Sequence, residues 1–152
     1  MGNMMTDPQV LGFLGRALSM EMTAVQQYLC LSRFSHLQGF EDIAAKFQHE
    51  AQEEMAHSER IISRMLVLGV APNATQLRPA RLGDSLPALI AAAQALEMEI
   101  INFYQTAVDY CSRIGDFDNR LFFEQLLQEE QAHANSLDEW KQNDLTATGR
   151  KT

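Results

Sequence analysis

Six residues have the types and the spacing to hold metal ions: Glu21, the pair Glu54 and His57, Glu97, and the pair Glu130 and His133. On a helix, each Glu-x-x-His pair sets a carboxylate and an imidazole one turn apart on the same face. Carboxylate oxygen with imidazole nitrogen is a donor set for cations such as iron and manganese. A single Glu-x-x-His carries little, because the pattern arises by chance. The register carries more. Glu21 precedes Glu54 by 33 residues, and Glu97 precedes Glu130 by the same 33. A shift of 76 residues carries Glu21 onto Glu97, Glu54 onto Glu130, His57 onto His133 and Tyr28 onto Tyr104. The chain therefore reads as two copies of one helical hairpin. Packed with twofold pseudosymmetry, they would set two equivalent half-sites face to face. Glu54 and Glu130 would bridge two metals about 3.5–4 Å apart. Glu21 and His57 would complete one metal, and Glu97 and His133 the other.

The elements that must position these residues are helices, since apolar residues recur at intervals of three and four and almost nowhere alternate. Asp7-Pro8 reads as an N-cap with proline at the first helical position. The first helix shows Leu11, Leu14, Leu18, Val25 and Tyr28 and closes near Gly39. The second starts near Glu41, shows Ile43, Phe47, Ile61, Met65 and Leu68, and stops at Gly69 and Pro72. Residues 70–84 carry Pro72, Asn73, Pro79 and Gly83 and show no period. The third helix, capped by Asp84 or Ser85, shows Ile90, Ala93, Ile100, Tyr104, Val108 and Cys111. After a Gly115-Asp116 turn, the fourth runs from about Asp118 with Phe122, Leu126, Leu137 and Trp140. Residues 7–141 are expected to form the bundle and 142–152 a polar, frayed tail. Short first and last connections make antiparallel hairpins, and the long middle one crosses the length of an all-α four-helix bundle.

The six chemical residues fall where apolar residues should stand on those faces. Four uncompensated buried carboxylates would outweigh the roughly 5–15 kcal/mol of a small domain's stability. No lysine or arginine occupies the same faces, so metal cations are the expected partners. The length of 152 residues suits one domain with its own core. A net charge of −8 argues against nucleic acid or an anionic membrane as partner. No basic leader appears and no apolar run reaches about 18 residues. Met1–Thr6 fits the loose N-myristoylation pattern, with nothing polybasic after it, and reads as chance. Cys30 and Cys111 sit in apolar helical patterns and read as reduced core residues, which suits a cytoplasmic location.

The segment Leu18-Ser-Met-Glu-Met-Thr-Ala-Val-Gln-Gln-Tyr28, with Glu54-Met-Ala-His57, Ala95-Leu-Glu97 and Glu130-Gln-Ala-His133, resembles the di-iron motifs of the bacterioferritins. The likeness runs from about Leu11 to Trp140. It implies a ferritin-like fold over residues 1–152. It also implies a ferroxidase that oxidises two Fe(II) per subunit with O2 or H2O2 and stores the Fe(III) inside a homo-oligomer, at least a twofold dimer, with a 24-subunit shell as the larger alternative. It further implies haem b ligated by Met55 at a dimer face, an inner-surface iron site at His49 and Glu53, and Tyr28 as an electron donor beside the di-iron centre. The plain alternatives are an interface methionine, a solvated polar face and a core aromatic. The sequence departs from the family where a short fifth helix is usual: Leu145–Thr152 has no apolar face, so that helix is expected to be absent or very short. Gln38 and Ser136 stand where the family often has aromatic residues. A di-iron or manganese oxidase that stores no mineral, and a haem-binding dimer, are the rival readings.

Overall fold

The computed structural model describes residues 5–148, and the side chains of residues 5–143. The described residues form four helices: α1 (Pro8–Leu37), α2 (Glu41–Val67), α3 (Leu86–Ile114) and α4 (Phe117–Thr148). Each spans about 40–48 Å at 1.5 Å per residue, long enough to bury a site halfway along the bundle. α1 packs most extensively on α2 and α3 on α4, with α1 against α3 joining the two hairpins.

The caps follow from the sequence. Asp7 Oδ1 accepts the amides of Gln9 at 2.8 Å and Val10 at 3.4 Å, satisfying amides that the first turn leaves free. Ser85, not Asp84, caps α3, accepting Ala88 N–H at 3.3 Å. Gly115 closes α3 in the left-handed conformation (φ 75°), which a residue with a Cβ adopts only at a cost. Asp116, whose sequence context shows only a turn, accepts the amide of Asn119 at 3.2 Å and so starts α4.

Two expectations need correction. The tail expected from residue 142 is helical through Thr148. Residues 141–148 contain no glycine or proline, and Lys141, Gln142, Leu145 and Ala147 favour the helix, so polarity alone did not end it. Residues 1–4 and 149–152, which include most of the myristoylation match and the end of the tail, lie outside the described residues. Cys111 is buried as expected, but Cys30 is half-buried; both are free thiols.

The crossover is not slack. Ser19, Thr23 and Gln27 are buried, one turn apart along α1, and they dock its backbone. Ser19 Oγ accepts Gln76 N–H at 3.2 Å, and Thr23 Oγ1 accepts Arg78 N–H at 3.3 Å. The Gln27 amide both accepts from Arg81 N–H and donates to its carbonyl, each at 2.6 Å. Arg78 and Arg81 then reach Glu99 on α3 at 2.6 and 3.3 Å.

By length and composition alone, α3 is apolar enough to cross a membrane. Here it is a core helix, burying Leu89, Ile90, Ala93, Leu96, Ile100, Ala107 and Cys111. Glu97 and Tyr104 lie within that buried face.

Candidate metal centre

All six residues picked out by spacing converge at mid-bundle. Glu21, Glu54, Glu97 and Glu130 are 0% exposed, His57 1% and His133 9%. α1 and α3 each supply one glutamate and one tyrosine, and α2 and α4 each supply a Glu-x-x-His. The contacts repeat the internal symmetry. His57 Nδ1 lies 2.9 Å from Glu130 Oε1, and His133 Nδ1 lies 2.9 Å from Glu54 Oε1, so each imidazole reaches the other hairpin. The two rings stack at 5.6 Å, 11° from parallel. The Tyr104 hydroxyl donates to Glu21 at 2.6 Å, and the Tyr28 hydroxyl donates to Glu97.

Two four-residue clusters have ligand atoms within 4.8 Å of one another: Glu21, Glu54, His57 and Glu130, and Glu50, Glu54, Glu97 and His133. Glu54 belongs to both, and Glu130 touches both histidines, with His133 Nδ1 at 3.3 Å. Glu50 was missed among the candidate ligands. Its Oε2 lies 3.4 Å from His133 Nδ1, and it is buried. A signal existed: Glu50 stands one turn before Glu54, and its counterpart 76 residues on is the fully buried Leu126. Tyr104 is a core aromatic that also serves the site: its hydroxyl holds Glu21 as Tyr28 holds Glu97. The pairing with Tyr28 at the repeat distance was the available signal.

The remaining candidates lie elsewhere. His49 Nε2 and Glu53 Oε1 are 3.4 Å apart on a solvated face, 65% and 43% exposed, outside the buried cluster. Met55 is 40% exposed on the side of α2 that also carries half-buried Ile62 and exposed Leu66.

The electrostatics show what the cluster lacks. Burial raises the Glu54 carboxyl well above its usual range, and the charges of Glu21 and Glu130 add to the shift. Glu97 is raised for the same two reasons, burial and then Glu130. Burial and Glu130 also raise Glu21. For Glu130 burial acts in the same direction, but hydrogen bonds from His133 and His57 outweigh it and hold its carboxyl well below the usual range. The symmetry mates thus shift in opposite directions, because Glu130 takes hydrogen bonds from both imidazoles. Burial opposes charge on His57, yet its hydrogen bonds with Glu130 and Glu21 raise it to about 10. His133 is raised as well: burial again opposes, and Glu130 outweighs it.

Even so, five carboxylate oxygens in this cluster have no hydrogen-bond partner among the described residues: Oε2 of Glu21, Glu50 and Glu97, and both oxygens of Glu54. Oε1 of Glu54 has its close approach to His133 as an ion pair only. Buried acceptors are almost always satisfied. Inward-facing carboxylate oxygens and two imidazole nitrogens match the donors hard and borderline cations take, so these residues could hold two such ions.

Helices packed around paired Glu-x-x-His motifs define a carboxylate-rich four-helix-bundle protein of the ferritin-like class. Comparison with known proteins agrees. The ferritin family profile, described as a ferritin-like domain, matches residues 12–145. The bacterioferritin of Rhodobacter capsulatus is 35% identical over 132 residues, covering 87% of this chain and 82% of that protein. That of Mycolicibacterium paratuberculosis is 33% identical over 135 residues, covering 89% and 85%. The solved R. capsulatus bacterioferritin superposes with a TM-score of 0.85 at 34% identity, covering 90% of this chain and 85% of that one; it is described with a metal-free dinuclear site and a haem iron. The chain belongs to the bacterioferritin family.

Proposed function

We propose that this protein oxidises Fe(II) at the mid-bundle cluster and stores the Fe(III) product. The observation that carries the reading is the set of buried carboxylate oxygens without partners. Fe(II) is the substrate. Glu21 and His57 would hold one ion, Glu97 and His133 the second, with Glu54 and Glu130 shared and Glu50 adding a carboxylate on the His133 side. Two Fe(II) give one electron each. With two protons, O2 is reduced to H2O2, or H2O2 to two waters. The carboxylates favour the more highly charged Fe(III) product, and burial keeps bulk water from the reacting pair. Tyr28 would serve as an auxiliary electron donor. Burial and the neighbouring Glu97 keep it a neutral phenol, and Glu97, ionised once it holds a metal ion, would take the proton Tyr28 loses.

His49 and Glu53, exposed beside Glu50, would receive iron on its way to the store. Met55 fits a haem b ligand shared with a second copy, since its thioether is accessible on a partly apolar face. Haem held there supplies a one-electron redox centre. Exposed Leu29, Met55 and Leu66 on the first hairpin, and Ile114, Phe117 and Leu121 at the α3–α4 turn, support self-association.

The test is to add Fe(II) in excess to metal-free protein in air, desalt, and count iron per chain. Retention far above two per chain is expected. Retention of two would replace storage by a di-iron or manganese-type oxidase. Retention of none would remove the reading.

A further inference from the structure

His57 has two faces. Its Nδ1 points into the cluster, 2.9 Å from Glu130 and 3.4 Å from Glu21. Its Nε2 is buried and has no hydrogen-bond partner. Glu129 Oε2, on α4, stands 3.8 Å from that nitrogen. Arg60 Nη1 donates to the same oxygen of Glu129 at 2.6 Å, a contact that favours this position of the half-exposed carboxylate. Arg60, Glu129 and His57 thus run in a line from solvent to the cluster.

The internal repeat shows that this line is one-sided. The 76-residue shift carries Glu53 onto Glu129, but Arg60 onto Ser136. Glu53 Oε1 turns to exposed His49. The ion-pair contacts described for His133 all fall on its Nδ1, with Glu50, Glu54, Glu97 and Glu130. Among the described residues, an arginine-anchored carboxylate backs His57 alone.

We infer that Glu129, held by Arg60, is a positioning residue that accepts the Nε2–H of His57, and that it makes the His57 half-site the tighter of the two. The inference rests on the dinuclear reading above. An imidazole that gives its Nδ1 lone pair to a cation must carry its proton on Nε2. A carboxylate behind that proton fixes tautomer and ring orientation, and its loss commonly weakens a metal site by roughly 10–100-fold. Small closure of the 3.8 Å gap makes the hydrogen bond, with Arg60 favouring this position of Glu129.

The experiment is anaerobic Co(II) titration of the full chain by calorimetry, with helix content checked by circular dichroism. Wild type is expected to take two Co(II) per chain in two steps. In Glu129→Leu the tighter step weakens by about 10–100-fold and the weaker step stays. Glu129→Gln, which keeps an acceptor oxygen, loses less. In the Zn(II)-loaded protein, nitrogen-15 NMR should show His57 with a slowly exchanging Nε2–H, and that exchange should quicken in Glu129→Leu. Identical isotherms for wild type and Glu129→Leu would overturn the inference and leave the dinuclear site standing. Equal weakening of both steps would overturn the half-site assignment. No Co(II) bound by wild type would instead remove the dinuclear reading itself.

Discussion

Replacing Glu54 with methionine should stabilise the metal-free protein while ending its capacity to oxidise iron. Glu54 is wholly buried, neither carboxylate oxygen has a hydrogen-bond partner, and burial with the charges of Glu21 and Glu130 opposes its ionisation. An unsatisfied buried polar group costs about 1–3 kcal/mol. Methionine is close to glutamate in length, so the change leaves little cavity. It also leaves both imidazoles partnered. His133 keeps Glu130 at 3.3 Å and Glu50 at 3.4 Å, and His57 keeps Glu130 at 2.9 Å. A gain of about 1–3 kcal/mol follows, in line with replacements of buried ionic groups by apolar ones. For a chain of this size, that is a rise in Tm of roughly 2–12 °C. The assay is thermal unfolding in chelator at matched protein concentration and oligomeric state, repeated with metal. Metal should raise the wild-type Tm well above that of the variant. A metal-free Tm for Glu54→Met equal to or below wild type would refute the view that burying this carboxyl without hydrogen-bond partners costs the metal-free fold stability.

Three further outcomes are expected. Glu130→Ala should slow Fe(II) oxidation to the rate of iron in buffer while circular dichroism shows intact helices; unchanged kinetics would dismiss the bridging role. Met55→Leu should purify without a Soret band and keep its Fe(II) oxidation, whereas retained haem would refute that ligand. Metal-free stability should fall between pH 6 and pH 9. His57 is raised to about 10 in the fold, so its contribution is complete below the unfolded value near 6.5 and lost as pH climbs through 10, at up to about 1.4 kcal/mol per pH unit. The raised carboxyls of Glu54 and Glu97 act in the same sense from about pH 4.5 upward. Glu130, whose carboxyl is depressed, acts oppositely, but only as pH falls through the acid range. A urea midpoint at pH 9 equal to or above that at pH 6, in chelator, would contradict the charge arrangement.

The helices were legible because burial leaves a period. Leu14, Leu18, Val25 and Tyr28 mark the inward face of α1, and Glu21 shows as the interruption. The same holds for Glu54, His57, Glu97, Glu130 and His133, and the repeat distance of 76 ties the two halves. Glu50 obeys the same geometry, but exposed His49 and half-buried Glu53 on either side of it hide it in a polar run. Only its apolar counterpart Leu126 shows that the position faces inward. The crossed bonds of Tyr28 to Glu97 and Tyr104 to Glu21 were not readable, because they depend on how the two hairpins meet. The docking of the crossover on Ser19, Thr23 and Gln27 was hidden for the same reason: a segment without a period gives no sign of the partner that satisfies its amides. The end of α4 was misjudged because its last turns have helix-forming residues and no apolar stripe.

The most direct measurement is anomalous diffraction at the iron edge from crystals soaked anaerobically with Fe(II). Two peaks at mid-bundle are expected, one beside Glu21 and His57 and one beside Glu97 and His133, with Glu54 and Glu130 between them. Density only at His49 and Glu53, or none inside the bundle, would contradict the assignment of this cluster as the site where iron is bound and oxidised.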